Sequence, residues 1–164
     1  MAAGPIFPHS AIPVTAGGVF PNIHVGGGAN SKHEEGLGVA ASIAADSIWR
    51  LRFQIPPAIP QGAAKLLFRA LANATSGAAK FHPACAIAGS GDIPSSSTLN
   101  AEATQTATWA AGDADKYKDT LLTLVQTSIA AGSESRELVC DLVFETASWT
   151  LAQVSTWHVS LVWS

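Results

Sequence analysis

The densest cluster of chemically active side chains is His33-Glu34-Glu35, in the first quarter of the chain. A helical zinc site of this kind uses a second histidine four residues after the first. Position 37 carries leucine instead. The cluster therefore predicts a solvated loop, and no metal ion is expected.

A glycine-rich run at 36–41 matches the G-x-G-x-x-A spacing of dinucleotide-binding turns. Such a turn follows a buried strand and opens a helix. The residues before it, 31–35, are polar and charged, so they do not form a buried strand. The run predicts an Ala/Gly connector, and we expect no cofactor.

Hydrolase signatures are absent from the sequence. There is no G-x-S-x-G nucleophile motif, and the spacing of the histidines predicts no triad. Asp141 and Glu145 lie on the outer face of one predicted strand, where charge is usually solvated. We expect a non-enzymatic protein. The alternative is a hydrolase whose pair of acids, 5 to 10 Å apart, forms only in three dimensions.

Tryptophan is the residue type that most favours ligand binding here, because exposed aromatic rings stack on sugar faces and supply interface area. Trp49, Trp157 and Trp163 alternate with aliphatic residues, which predicts that they lie in the core. Trp109 and Trp149 fall at predicted strand ends or in loops and are freer to be exposed. These two form a candidate ligand platform, although structural packing is the competing interpretation.

Alternation of apolar and polar residues, with Val162 as the one exception in the two clearest stretches, identifies the elements that must carry these side chains. In 49–55 and again in 157–163, every second residue is apolar, which is the period of a strand with one buried face. Further predicted strands are 64–72, 80–88, 103–109, 120–127 and 136–146. Short strands separated by Gly, Pro and Ser turns predict an all-β fold, an antiparallel β-sandwich of jelly-roll type.

The first 45 residues differ from the rest of the chain. Residues 1–30 contain no charged side chain and are rich in Gly and Pro. Solvated disordered tails are usually charged and poor in aromatics. We therefore predict an extended arm over 1–45 that lies on a surface, its own or a neighbour's, followed by a β-sandwich domain over 46–164. The apolar anchors of the arm, and its predicted partner interface, are Ile6, Phe7, Ile12, Val19, Phe20 and Ile23.

The amino-acid composition limits the kinds of partner that the protein is expected to have. Charged residues make up 13% of the chain and hydrophobic residues 48%, against an average of about 25% charged, so we expect much of the surface to be covered by partners. A net charge of −3 argues against a nucleic-acid binder, and no apolar run approaches the length of a membrane span. Cys85 and Cys140 are expected as free buried thiols, with one bridge between neighbouring strands as the alternative.

Several stretches together resemble small β-sandwich structural proteins of tailed bacteriophages, of the capsid decoration or cement type. The stretches that carry this resemblance are 49–56, 59–62, 70–74, 149–152 and 154–163. The resemblance implies a jelly-roll-like domain that assembles as an oligomer on the virion exterior, without a cofactor, after synthesis in the host cytoplasm.

The resemblance and the uncharged arm predict a capsid decoration protein that bridges and stabilises neighbouring capsid subunits. Its expected partners are the major capsid protein and copies of itself, with a trimer favoured. The alternative is a carbohydrate- or receptor-binding β-sandwich module of a phage tail or fibre, which would use Trp109 and Trp149. A sugar is a partner only under this alternative.

Overall fold

The computed structural model describes residues 5–14, 23–25, 35–39, 46–58, 63–71, 77–89, 98–110, 112–113, 116–129, 135–145 and 154–163. All the secondary structure within these ranges is β-strand. The strands are β1 (Ser10–Pro13), β2 (Ile23–Val25), β3 (Glu35–Val39), β4 (Ser47–Ile55), β5 (Ala64–Leu71), β6 (Gly77–Ala88), β7 (Asn100–Ala101), β8 (Gln105–Trp109), β9 (Tyr117–Thr123), β10 (Arg136–Glu145) and β11 (Val154–Trp163).

The strands form two antiparallel sheets. The first sheet has the order β1-β4-β10-β6-β7, and β8 pairs with β6 on the same side as β7. The second sheet has the order β2-β3-β11-β5-β9. Sequential strands from β3 to β6 alternate between the sheets, and so do β8 to β11. Eight strands ordered β4-β10-β6-β8 and β3-β11-β5-β9 have the jelly-roll connectivity, which confirms the predicted fold class.

Period-two alternation builds the core from both sheets. In β4 the inward residues Trp49, Leu51, Phe53 and Ile55 are buried, while the intervening residues are partly or largely exposed. Phe68 of β5 meets Phe81 of β6 across the sandwich, with ring centroids 4.4 Å apart. Tilted pairs at such distances stabilise a core beyond their buried area. The strands predicted at 49–55, 64–72 and 80–88 are therefore confirmed as β4, β5 and β6.

The cysteine expectation was wrong. Cys85 of β6 and Cys140 of β10 are direct partners in the sheet register and form a disulfide with a Cα–Cα separation of 4.1 Å. Directly opposed residues of antiparallel strands place their Cβ atoms close enough to bridge. Both residues are fully buried. The pairing was not visible in the sequence because it depends on the register between strands 55 residues apart.

The N-terminal segment, residues 5–14, touches both sheets of its own sandwich. Ile6 exchanges two backbone hydrogen bonds with Leu161 of β11, at 2.9 and 2.8 Å. A few residues later, β1 pairs with β4 in the first sheet. Strands β2 and β3 also fall within the range predicted as an arm, and β3 pairs with β11. The predicted division of the chain at residue 45 stays a prediction.

Lys118 of β9 links the two sheets along one side of the sandwich. Its Nζ donates to the carbonyl oxygen of Thr108 in β8 and, at 3.0 Å, to a carboxylate oxygen of Asp113. Asp113 also closes the turn before β9, where Gly112 has a φ of 96°. The sequence predicted a strand at 120–127, but β9 begins at Tyr117. Its start was missed because the polar residues 111–118 resemble a loop.

Candidate functional site

Trp109, one of the two predicted platform residues, lies at the end of β8 and is 1% exposed. The expectation that it is freer to be exposed was wrong, because β8 pairs with β6 and turns the indole into the core. Lys118 Nζ lies 5.9 Å from the ring centroid. A buried ring cannot stack on a sugar, so Trp109 is not part of the candidate site. Trp149 lies outside the described residues.

The predicted anchors of the arm fall into different environments. Ile6 packs against the core, whereas Phe7 and Ile12 are 65% and 52% exposed. Ile23 begins β2 and pairs with Leu37 of β3. Val19 and Phe20 lie outside the described residues. Phe7 and Ile12 thus present apolar side chains at the surface, while the partner they were predicted to contact stays a prediction.

The outer face of the second sheet collects side chains from three neighbouring strands. Antiparallel register places directly paired residues on the same face. One row across the sheet runs from His158 of β11 through Arg69 of β5 to Asp119 of β9. The next row is Ser160, Leu67 and Leu121. A row that contains an ion pair therefore lies beside a row of two leucines and a serine.

A groove of about 530 Å³ lies on this face, and we call it the outer groove. Strands β5 and β11 form its floor, and the N-terminal segment forms a wall through Pro5 and Phe7. That wall is held in place by the backbone bonds between Ile6 and Leu161. The volume lies within the range of small-molecule sites, about 300 to 1,000 Å³. The floor residues are Leu67, Arg69, His158, Val159, Ser160 and Val162.

A bidentate ion pair supplies the polar part of the outer groove. Arg69 donates from Nε and Nη2 to the two carboxylate oxygens of Asp119, each at 2.7 Å. These hydrogen bonds lower the pKa of Asp119 and raise the pKa of Arg69, so both groups are charged near neutral pH. The pair uses one N–H of Nε and one of Nη2. The two N–H groups on Nη1 point away from that pairing edge.

Rings flank the ion pair. The centroids of Tyr117 and His158 lie 6.5 Å apart at an interplanar angle of 47°. Tyr117 is 48% exposed, and Phe7 stands on the opposite side of β11 as part of the groove wall. An aromatic body with a polar tip suits contacts with ligands that are both apolar and polar. The outer groove and the β9 side chains beside it thus combine exposed rings with a floor of apolar and polar residues and a fixed ion pair.

Sequence reasoning missed this site. Lys65 and Arg69 stand out as charges inside an apolar run, which in a strand indicates one solvated face. That signal could have marked β5 as the strand carrying the site. Tyr117 fell in the stretch 111–118, which resembles a loop, and Asp119 fell between that stretch and the predicted strand at 120–127, so neither received a role. The pairing of Arg69 with Asp119 joins residues 50 positions apart and follows only from the register of β5 with β9.

The outer face of the first sheet carries a second set of polar contacts. Arg50 binds both carboxylate oxygens of Asp141 at 2.7 Å, and Arg52 binds Glu137 at 2.7 Å. The expectation that Asp141 is solvated was wrong, since this residue is 9% exposed. Its partners in the sheet register are Ala84 on one side and Arg50, which binds it, on the other. These ion pairs join the adjacent strands β4 and β10, and they stabilise the first sheet.

Glu145 has two partners on the same face. It accepts hydrogen bonds at 2.7 Å from Thr104 Oγ1 and from the His82 ring, and these bonds lower its pKa. Glu145 lies four residues from Asp141 in β10, which is about 13 Å along a strand. Glycosidase carboxylates lie about 5 to 9.5 Å apart. Asp141 and Glu145 therefore do not form such a pair.

In the described part of the chain, no group of three or more His, Cys, Asp or Glu residues comes together in a way that could hold a metal ion. Nor does that part contain a helix long and apolar enough to cross a membrane.

Comparisons with known proteins give similarity in structure only. No protein-family profile matches the chain, and no curated protein matches it. Among solved structures, the family 11 carbohydrate-binding module from Clostridium thermocellum, bound to a β-1,3-1,4-mixed-linked tetrasaccharide, is similar at 9% identity and a TM-score of 0.43, covering 99% of this chain and 98% of that one. TmCBM61 in complex with β-1,4-galactotriose is similar at 9% identity and a TM-score of 0.37, covering 82% of this chain and 75% of that one. At these values neither similarity bears on function.

Proposed function

We propose that this chain is a non-catalytic carbohydrate-binding module and that its glycan lies in the outer groove. The observation that carries the proposal is a groove lined by Phe7 and Arg69, with Asp119 and Tyr117 beside it on the neighbouring strand of the same face. Sugar rings have C–H faces that stack on aromatic rings and hydroxyl rims that need donors and acceptors. The groove offers both kinds of contact within a volume suited to a small ligand.

The groove lies on a sheet and not at a loop cluster, which favours binding over catalysis. Its floor side chains are fixed by strand pairing on both sides of β5. Arg69 and Asp119 are engaged with each other, so neither is poised to transfer a proton. A rigid surface with paired charges can select a ligand without reacting with it. The receptor under this proposal is a glycan, free or attached to a cell surface.

Replacement of Tyr117 tests the proposal. We expect wild-type protein to bind members of a glycan array, and Tyr117→Ala to weaken that binding about three- to tenfold, because one stacking face is lost. Titration calorimetry with the best array ligand measures the change. Ile12→Ala is the matched control, since Ile12 is similarly exposed but lies on β1, in the other sheet. A folded wild-type protein that binds no glycan, or a Tyr117→Ala variant with unchanged affinity, would contradict the proposal.

A decoration protein that bridges capsid subunits is the second candidate function. The observation in its favour is that Phe7 and Ile12 expose large apolar side chains in a chain with little charge. The buried disulfide supports a location on a virion exterior or another oxidising surface, since such bonds persist outside the reducing cytoplasm. The partners under this candidate are the major capsid protein and further copies of this chain.

Assembly in solution separates the second candidate from the first. The decoration role predicts a stable oligomer, with a trimer favoured, that dissociates in Phe7→Ser/Ile12→Ser because the apolar contact area is removed. Sedimentation velocity over a range of concentrations measures this. Val125→Ser is the control, because Val125 is 71% exposed but lies outside the N-terminal segment. A wild-type monomer at every concentration would count against the decoration role.

A further inference from the structure

We infer that the outer groove selects neutral glycans and rejects uronate-containing ones, and that Asp119 is the residue that sets this preference. The inference rests on the proposed carbohydrate-binding function and concerns the charge of the ligand. Its basis is the geometry of the Arg69–Asp119 pair. An arginine at the surface would ordinarily favour carboxylate ligands, because its planar fork matches their two oxygens.

Asp119 binds the edge of the Arg69 guanidinium that a ligand carboxylate would otherwise bind. Both of its oxygens lie 2.7 Å from the guanidinium nitrogens Nε and Nη2, which is the bidentate geometry a ligand carboxylate would adopt. A uronate at the remaining edge of Arg69 would meet the charge of Asp119 nearby. The pair has no net charge, so the attraction of Arg69 for an anion is cancelled by the repulsion from Asp119.

Hydroxyl groups suit the remaining edge better. The N–H groups on Nη1 can donate to sugar oxygens, and the carboxylate of Asp119 has lone pairs that can accept from a neighbouring hydroxyl. Two adjacent hydroxyls on one sugar ring present a donor and an acceptor side by side. A carboxylate offers acceptors only. It can therefore accept hydrogen bonds from Arg69, but it gives Asp119 no donor and repels its negative charge.

Another cation on the same face is too distant to change this balance. Lys65 lies on β5 four residues before Arg69, which is about 13 Å along a strand. Exposed charges are largely screened beyond about 8 Å at physiological ionic strength. His158 borders Arg69 in the same row and Tyr117 lies on the adjacent strand. Within the part of the chain that the structure describes, the charge balance at the groove is thus set by Arg69 and Asp119.

Matched pairs of polysaccharides test the inference. The probes are oligosaccharides of glucan and glucuronan, mannan and mannuronan, and methyl-esterified and de-esterified galacturonan, which differ within each pair mainly in charge. We expect wild-type protein to bind the neutral member of at least one pair more tightly than the uronate member. In Asp119→Asn the ratio should shift towards the uronate by about fivefold or more, the factor that corresponds to the interaction of two unit charges about 4 Å apart in water.

Asp141→Asn is the matched control variant. It removes the same carboxylate from the equivalent bidentate pair with Arg50, on the outer face of the other sheet. Its selectivity should equal that of the wild type, and circular dichroism establishes that each variant is folded. The shift in Asp119→Asn should disappear at high salt, since it arises from exposed charges.

The outcomes distinguish this inference from the function on which it rests. Wild-type protein that binds uronates as tightly as their neutral partners overturns the inference and leaves carbohydrate binding intact. An Asp119→Asn variant with wild-type selectivity also overturns it. Folded wild-type protein that binds no member of any pair overturns both the inference and the proposed function.

Discussion

Glu102, between β7 and β8, is a charged side chain that belongs to the interior, since it is 6% exposed. Its two carboxylate oxygens accept hydrogen bonds of 2.8 to 3.0 Å from the backbone N–H groups of Val125, Gln126 and Thr127. Burying a carboxylate is costly unless such bonds satisfy it. The side chain therefore fixes the loop after β9. Nothing in the sequence indicates this role, because the donors are backbone groups more than 20 residues away.

Removal of this carboxylate should destabilise the fold. We expect Glu102→Ala to lower the free energy of unfolding by about 2–4 kcal/mol, because three backbone N–H groups, among them that of the buried Thr127, lose charge-assisted bonds. Glu102→Gln should cost less, since one acceptor oxygen remains. Urea unfolding followed by tryptophan fluorescence measures both. Gln126→Ala, in the same loop, removes an exposed side chain and keeps the backbone donor, so it should change stability by less than about 0.5 kcal/mol. An unchanged midpoint for Glu102→Ala would contradict this account.

Some strands can be predicted from their sequences more easily than others. The central strands β4 and β10 each have a fully buried face, and alternation identified both. In β9, an edge strand, the buried Leu122 stands among residues that are exposed or half-buried. An edge strand needs only one apolar face and one pairing partner, so its pattern is weaker. The start of β9 was missed for that reason, and the site residues Tyr117 and Asp119 were missed with it.

The disulfide between β6 and β10 should contribute strongly to stability. It closes a loop across 55 residues of sequence, for which chain entropy gives about 4 kcal/mol, and measured values are typically about 2–4 kcal/mol. We expect Cys85→Ala/Cys140→Ala to lower the free energy of unfolding by that amount. Chemical denaturation with and without reductant provides the measurement.

The burial of the disulfide provides a control for this prediction. Both sulfur-bearing residues are fully buried, so dithiothreitol should leave the bond intact in folded protein and reduce it only after unfolding. Thiol labelling in native buffer follows this directly. If the oxidised protein and the double variant were equally stable, the disulfide would add no stability beyond that of the strand pairing, and the prediction would be wrong.

At the scale of the molecule, the architecture could be predicted and the site could not. Alternation and turn spacing are local properties, and they indicated a β-sandwich of jelly-roll type. The outer groove depends on which strands are neighbours and on their register, as with His158, Arg69 and Asp119. Three strands far apart in the sequence meet there. Tryptophan was the residue type that the sequence offered as a ligand platform. A large aromatic ring is often present because it packs in the core, as Trp109 does.

The bond from Lys118 to Thr108 has a consequence for behaviour at high concentration. Among the described strands, β8 and β9 lie at the edges of their sheets, and unpaired edge strands are sites where another chain can add a strand and begin aggregation. A foreign strand that paired with β8 at Thr108 would have to displace the ammonium group from that carbonyl oxygen and from Asp113. In a chain with so few charges, Lys118 would thus oppose the addition of a foreign strand to β8 at this position.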